Sequence, residues 1–376
     1  MLMLAIALFW GSAALIIYTY AGYPAWVWLQ ARCCERRVSK RNIAPSVSVV
    51  LAVHNGAREI QAKLTNLASL DYPGEQMEII VVCDGSEDDT AMLARHAGDK
   101  HVRVLEFPAR RGKAACLNDA VAMATGEVLL MTDVRQKFDP PALRALVANL
   151  ADETVGAVSG ELQFRDAQSG FAKGVDAYWR YEKLIRQAES RSGSTIGVTG
   201  AIYAMRRSLF LPIPEGTVLD DVLIPMQVAR AGKRVVFEPD AVAWDRPSQQ
   251  AAEERRRKVR TLAGNYQLVQ LASWLIVPWS NPLWLRFLSH KLLRLLAPWM
   301  LLLLVLTAAL LARHDGVYAI SLALLLAGVL LAVAGRLLPA IGRWLPARLA
   351  VAFFYMNLFA AQALIAFIGK RRLHLW

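Results

Sequence analysis

Val47-Ser48-Val49-Val50-Leu51-Ala52-Val53 is an almost unbroken apolar run of strand length, and Ile60, Leu64 and Leu67 follow it at helical spacing. A run this apolar suits a strand covered on both faces, which calls for a sheet flanked by helices. The pattern then repeats. Ile79–Val82 reads as a strand before the turn-rich Asp84-Gly85-Ser86, and Val102–Leu105 as another. Ala114, Leu117, Val121 and Ala124 form one helix face ahead of a Val128–Met131 strand. Strands alternating with amphipathic helices predict an α/β domain with a mostly parallel central sheet. Asp139-Pro140-Pro141 is expected to open the next helix, with Asp139 as N-cap and proline in the first turn. A longer helix should carry Phe171, Val175, Tyr178, Glu182 and Ile185, and a further one should run from Asp220-Asp221 to Gly232 before a short Val235–Phe237 strand.

Elsewhere the chain is apolar. No Asp, Glu, Lys or Arg occurs from Met1 through Ala31, and charge-free tracts return at Leu295–Ala312, Val317–Gly335 and Leu349–Gly369. Each approaches the ~20 residues that cross a bilayer as a helix. Arg32, Arg36, Arg37, Lys40 and Arg41 follow the first tract and no charged side chain precedes it. That order predicts a retained anchor with its N-terminus outside, and a cytoplasmic domain after it. The expected organisation is an anchor over 1–31, a catalytic domain over 45–265, an amphipathic interfacial segment over 266–290, three spans within 291–369 and a basic tail over 370–376. Trp274, Trp279 and Trp284 suit the headgroup boundary. If 266–285 crosses instead, the tail moves inside and Arg286, Lys291 and Arg294 move outside.

The formal net charge is +12, but much of it flanks apolar tracts, where it sets orientation and attracts anionic lipids. No nucleic-acid-binding pattern stands out, so nucleic acid is not an expected partner. The cysteines Cys33, Cys34, Cys83 and Cys116 lack CxxC spacing and are expected as reduced thiols. No HExxH or Cys/His cluster suggests zinc. Composition rich in Ala, Leu and Arg points to a bacterial plasma membrane.

In an open α/β sheet, ligands bind beyond the C-terminal ends of the strands, where Asp84 and Asp133 fall. Carboxylates there can take ribose hydroxyls, a nucleobase or a divalent cation; each also fits a turn or cap. Arg110-Arg111-Gly112-Lys113 offers a glycine turn, backbone NH groups and a lysine at a helix N-terminus, a phosphate site or simply a solvated basic surface. Asp220-Asp221 fits either a helix cap or a general base for an incoming hydroxyl.

Taken together, these segments resemble the family 2 inverting glycosyltransferases, which include the cellulose, chitin and hyaluronan synthases. The resemblance runs from about Val47 to Tyr266. Val49–Asn55 is similar to the family's opening strand and Tyr-Asn-Glu turn, with His54 in place of Tyr. Val81–Asp88 resembles the Asp-Asp-Gly-Ser-x-Asp nucleotide motif, keeping Asp84 of the pair, and Arg111–Ala114 with Asn118 resembles Gly-Lys-x-x-x-Leu-Asn. Asp133-Val134-Arg135 occupies the place of the DxD motif, with Arg135 for the second carboxylate. Val198–Tyr203 looks like the acceptor-side glycine turn and Leu219-Asp220-Asp221 like Thr-Glu-Asp. Arg257-Lys258-Val259-Arg260-Thr261 lies where polymerising members carry Gln-x-x-Arg-Trp; Arg260 matches, whereas Arg257 and Thr261 differ.

The resemblance implies a GT-A-like nucleotide-sugar-binding domain attached to transmembrane helices. It assigns the base to Asp221, donor binding to His54, Asp84, Lys113, Asp133, Arg257 and Arg260, and the acceptor side to Thr199, Gly200 and Asp220. It further implies Mg²⁺ or Mn²⁺ at Asp133, a UDP-sugar as the commonest donor, and a glycan acceptor in exopolysaccharide synthesis. Two alternatives stand beside it: single-sugar transfer to a lipid acceptor, and a transport or scaffold protein that retains a nucleotide-binding domain. Charged residues inside the spans would favour transport, and the tracts are nearly free of them.

Overall fold

The computed structural model describes residues 1–97, 101–164, 170–246 and 251–369. Among the described residues, eight strands form one sheet: β1 Val47–Val53, β2 Met77–Asp84, β3 Val102–Phe107, β4 Val128–Thr132, β5 Lys137–Phe138, β6 Val155–Phe164, β7 Ile202–Arg206 and β8 Arg234–Asp245. Their order is β3-β2-β1-β4-β7-β6-β8-β5. The β1–β2, β1–β4, β2–β3 and β6–β8 pairs are parallel, while β7 runs antiparallel to both β4 and β6, and β5 to β8. The reversal at β7 positions the site: Thr132 pairs with Ile202, so the loop leaving β4 meets the turn entering β7.

Both sheet faces are covered, as the apolar strands require. Leu51, Val81 and Leu130 pack on one side with Ile60, Leu64 and Leu143. Val50, Ile80 and Leu129 pack on the other with Leu117, Met226 and Leu268, and this second core continues into Leu275 and Phe287. The apolar C-terminal region therefore shares a core with the sheet. Burying such side chains contributes roughly 1.5–3 kcal/mol each.

Among the described residues, four helices are long and apolar enough to cross a membrane: Leu2–Cys33, Trp284–Leu311, Gly316–Leu337 and Leu345–Ile368. Ala5 and Phe9 of the first pack against Leu304, Ala308 and Leu311 of the second. Both contain a π-helical turn, Tyr18–Gly22 and Leu288–Leu292, and the hydroxyls of Tyr18 and Ser289 join them at 2.8 Å.

Some local expectations need correction. Asp139 does not cap the next helix, which spans Ala142–Asn149 with Pro141 at the N-cap position. The Asp139 carboxylate instead accepts from Trp244 Nε1 at 2.8 Å, anchoring β8. The stretch expected as one interfacial segment is divided. Its first residues complete the Ala251–Leu271 helix, Ser273–Ile276 forms a 3-10 turn, and the second long apolar helix starts at Trp284. The 370–376 tail lies outside the described residues.

Candidate active site

The Lys113–Met123 helix begins straight after Gly112, whose φ of 95° is a conformation that glycine adopts without strain. Asp84 closes that turn from the end of β2. Its side chain is fully buried, Oδ1 accepts from the Arg111 NH at 2.8 Å, and Oδ2 accepts from the Gly112 NH at 2.7 Å. Asp84 thus shapes the loop rather than presenting a free carboxylate to the cleft. His54 braces the same strand end, its Nδ1 lying 2.8 Å from the Asp84 carbonyl oxygen. Arg111 is committed to Asp119 at 2.6 Å and lies over the Phe107 ring.

With the turn fixed, Lys113 reaches across the cleft. Its Nζ lies 2.8 Å from Asp133 Oδ1 and 3.4 Å from Asp220 Oδ2. Burial alone would depress the ammonium pKa, but Asp133 and Asp220 outweigh it and hold the pKa above the ordinary lysine value. The 3.4 Å approach is an ion pair without hydrogen-bond alignment, so the buried Asp220 Oδ2 lacks a hydrogen-bond partner among the described residues. Asp220 and Asp221 are the first two residues of the Asp220–Arg230 helix. Burial and then the neighbouring Asp220 raise the Asp221 pKa to about 6, against the opposing charges of Lys291 and Lys113.

Gly200 leaves the space between these groups open. A Cβ there would stand 3.6 Å from both Asp221 Cβ and Lys113 Nζ. Thr199 holds the turn beside it, its NH donating to Ser159 Oγ at 3.0 Å. Lys113, Asp133, Gly200, Asp220 and Asp221 therefore converge, with Asp84 and His54 supporting them from behind. Arg257 pairs with Glu254 at 2.7 Å on its own helix. Among the described residues, neither Arg257 nor Arg260 bonds to a carboxylate of this cluster. Arg135 is held by Asp245 at 2.9 Å, so the position of the second DxD carboxylate carries a tethered cation.

Two further side chains belong to the site: Tyr203, read in the sequence only as the end of the acceptor-side turn, and Lys63, which the sequence reading did not single out. Tyr203 is 1% exposed, and its hydroxyl has no hydrogen-bond partner among the described residues while sensing Asp220, Lys113, Asp221 and Asp133. Lys63, also buried, donates to Thr132 Oγ1 at 2.8 Å and to the Gln136 carbonyl at 2.9 Å. It ties together both ends of the loop bearing Asp133 and Arg135. A buried lysine at helical spacing was the available signal, but its partners lie about 70 residues away in sequence.

Among the described residues, no group of three or more His, Cys, Asp or Glu side chains is placed to hold a metal ion. Asp133 has one oxygen committed to Lys113 and a side chain that is 37% exposed. One carboxylate completed by phosphate oxygens and water is a donor set that suits Mg²⁺. The residues fit a cation arriving with a diphosphate, not one held by protein alone.

A mixed sheet with a carboxylate loop at the β4 end, facing a lysine and a second acidic pair, defines a GT-A-type transferase fold. Residues 48–211 match the model for glycosyl transferase family 2 and residues 136–364 that for glycosyl transferase family group 2, and the chain belongs to this family. The probable glycosyltransferase YdaM of Bacillus subtilis is 26% identical over 239 residues, 60% of this chain and 56% of the relative. A poly-beta-1,6-N-acetyl-D-glucosamine synthase of Staphylococcus epidermidis is 22% identical over 242 residues, covering 63% of this chain and 58% of that one. The chain thus spans less than three fifths of the length of these curated relatives. The mannosyltransferase PcManGT of Pyrobaculum calidifontis, solved in complex with GDP-Man and Mn²⁺, superposes with a TM-score of 0.74 at 25% identity, covering 97% of this chain and all of that one.

Proposed function

We propose that the chain transfers a sugar from a nucleoside diphosphate donor to a glycan hydroxyl with inversion, in exopolysaccharide synthesis at the cytoplasmic face of a bacterial plasma membrane. The observation that carries this reading is the convergence of Asp221, Lys113 and Asp133 around the gap at Gly200. The acceptor oxygen forms its bond to the anomeric carbon from the face opposite the diphosphate, whose carbon–oxygen bond breaks. Asp221 takes the hydroxyl proton; a carboxylate with its pKa raised to about 6 is a stronger base than an ordinary one and is still ionised at neutral pH. Lys113 meets the negative charge growing on the leaving diphosphate, the role in which a prepositioned cation helps most. Mg²⁺ or Mn²⁺, held by Asp133 and the donor's phosphates, would add positive charge there.

His54 and Asp84 maintain the nucleoside end of the cleft, Arg257 and Arg260 flank the diphosphate from the membrane-proximal helix, and Thr199, Gly200 and Asp220 border the acceptor. PcManGT binds GDP-Man, so a donor screen must hold GDP-sugars beside the UDP-sugars that the family resemblance favours. Purified full-length protein in lipid nanodiscs is to be screened for stabilisation by such a panel, with and without Mn²⁺, and then for transfer. Stabilisation by one donor, with transfer lost in Asp221→Asn, supports the reading. Indifference to every donor, or full transfer by Asp221→Asn, removes it.

A further inference from the structure

Beside the donor cleft, a cavity of about 110 Å³ opens where the catalytic domain meets the apolar helices. Tyr20 and Glu182 line it with Lys258, Asn265, Lys291 and Arg294, and Met356 and Ala360 of the last apolar helix form its greasy wall. Both π-helical turns contribute, one through Tyr20 and the other through His290 and Lys291. Such turns widen a helix locally and are frequent at functional sites.

The wall holds groups that await a partner. Asn265 is 3% exposed; its NH₂ donates to the Thr261 carbonyl at 3.1 Å, while Oδ1 has no hydrogen-bond partner among the described residues. Lys291 makes no hydrogen bond or ion pair among the described residues, although its charge is felt by Asp221. Glu182 differs: it already binds His290 Nε2 at 3.0 Å and pairs with Arg294. The lining supplies a cation, further positive charge from Lys258 and Arg294, and a free acceptor for a hydroxyl. Its size suits a compact headgroup rather than a sugar chain, and three of the four apolar helices reach it.

We propose that this cavity binds the phosphate-bearing headgroup of a membrane lipid, the phosphate against Lys291, an OH donating to Asn265 Oδ1, and the acyl chains along the apolar helices. That the lipid anchors the glycan whose hydroxyl meets Asp221 rests on the transfer function proposed above; the binding itself does not. A glycan growing on such an anchor would remain at the membrane face between additions.

The test measures binding without donor. Detergent-purified full-length protein is titrated with dioleoyl phosphatidic acid, with the matching diacylglycerol and with inorganic phosphate, following the unfolding midpoint and lipid retention by native mass spectrometry. Phosphatidic acid should be retained over diacylglycerol, and Lys291→Gln should weaken retention by about tenfold or more, the scale of a lost charged hydrogen bond. Lys291→Arg should restore it, which separates lost charge from lost folding. Equal retention of the two lipids, or a Lys291→Gln protein that binds as well as wild type, overturns the site, because attraction to the basic flanks would not depend on Lys291. Equal stabilisation by inorganic phosphate also overturns it, assigning the cavity to a soluble anion. Donor stabilisation, read separately, reports on the transfer function whatever the lipid does.

Discussion

The donor cleft and the junction beneath it both bury charge, but they treat it differently. At the junction Glu189 accepts from the Tyr23 hydroxyl and lies 2.8 Å from His290 Nδ1, while Glu182 takes His290 Nε2 and Arg294. Arg286 donates to the carbonyls of Glu189 and Ser194 at 2.7 and 2.6 Å. Glu182 has both carboxylate oxygens engaged, and Glu189 takes two partners on Oε1. In the cleft Asp220 Oδ2 and the Tyr203 hydroxyl have no hydrogen-bond partner among the described residues, and Asp221 is held near a less favourable ionisation. Completed networks fix geometry; incomplete ones keep capacity for a substrate.

Breaking the cleft should cost turnover. Asp221→Asn removes the proposed base and is expected to lower kcat by about 10²–10⁴ while donor stabilisation persists, measured by transfer and thermal shift on one preparation. Lys113→Met should cost about 10²–10³ in kcat, with steady-state kinetics as the check. Breaking the junction should cost stability instead. Glu182→Gln leaves His290 and Arg294 without their shared counter-charge, and a loss of roughly 3–5 kcal/mol is expected, visible as an earlier unfolding transition.

The pH profile sharpens the contrast. With the Asp221 pKa raised to about 6, kcat/KM should climb as pH rises through 6 and level off above it. Asp220 contributes to that elevation, so Asp220→Asn should move the limb to lower pH. Lys63 should respond to pH through stability instead. Burial lowers its pKa from 10.5 to about 7, so the unfolded chain holds the proton across a window where the folded chain has released it. Stability should therefore rise with pH from about 7 towards 10.5, and Lys63→Met should lose that rise in pH-dependent unfolding.

What the sequence disclosed followed the same division. The partly buried edge strand β3 contains the run read for it. β1 spans its own apolar run, and β2 and β4 contain theirs, because strands covered on both faces announce themselves by composition. β6 did not, since Gly156, Ser159, Gly160 and Glu161 interrupt it. Gly160 is needed because a Cβ there would meet the Ala241 carbonyl at 2.5 Å. Asp84 and Lys113 stand at a strand end and a helix start beside glycine, and Asp133 follows a strand end, positions that a sequence announces; Arg257 and Arg260 lie inside the Ala251–Leu271 helix, where only the family resemblance singles them out. The junction draws Tyr20, Glu182, Glu189, Arg286, His290 and Arg294 from three distant stretches, in which a buried ion pair leaves no local pattern.

The clasp of Arg286 on the chain between Glu189 and Ser194 has a mechanical meaning. That chain runs on into Gly197–Gly200, so the helix beginning at Trp284 and the rim of the cleft are coupled like a lever and its fulcrum. In a thicker or thinner bilayer, where such a helix must lean to match the hydrocarbon, the tilt would be transmitted to the glycine turn that opens beside Asp221.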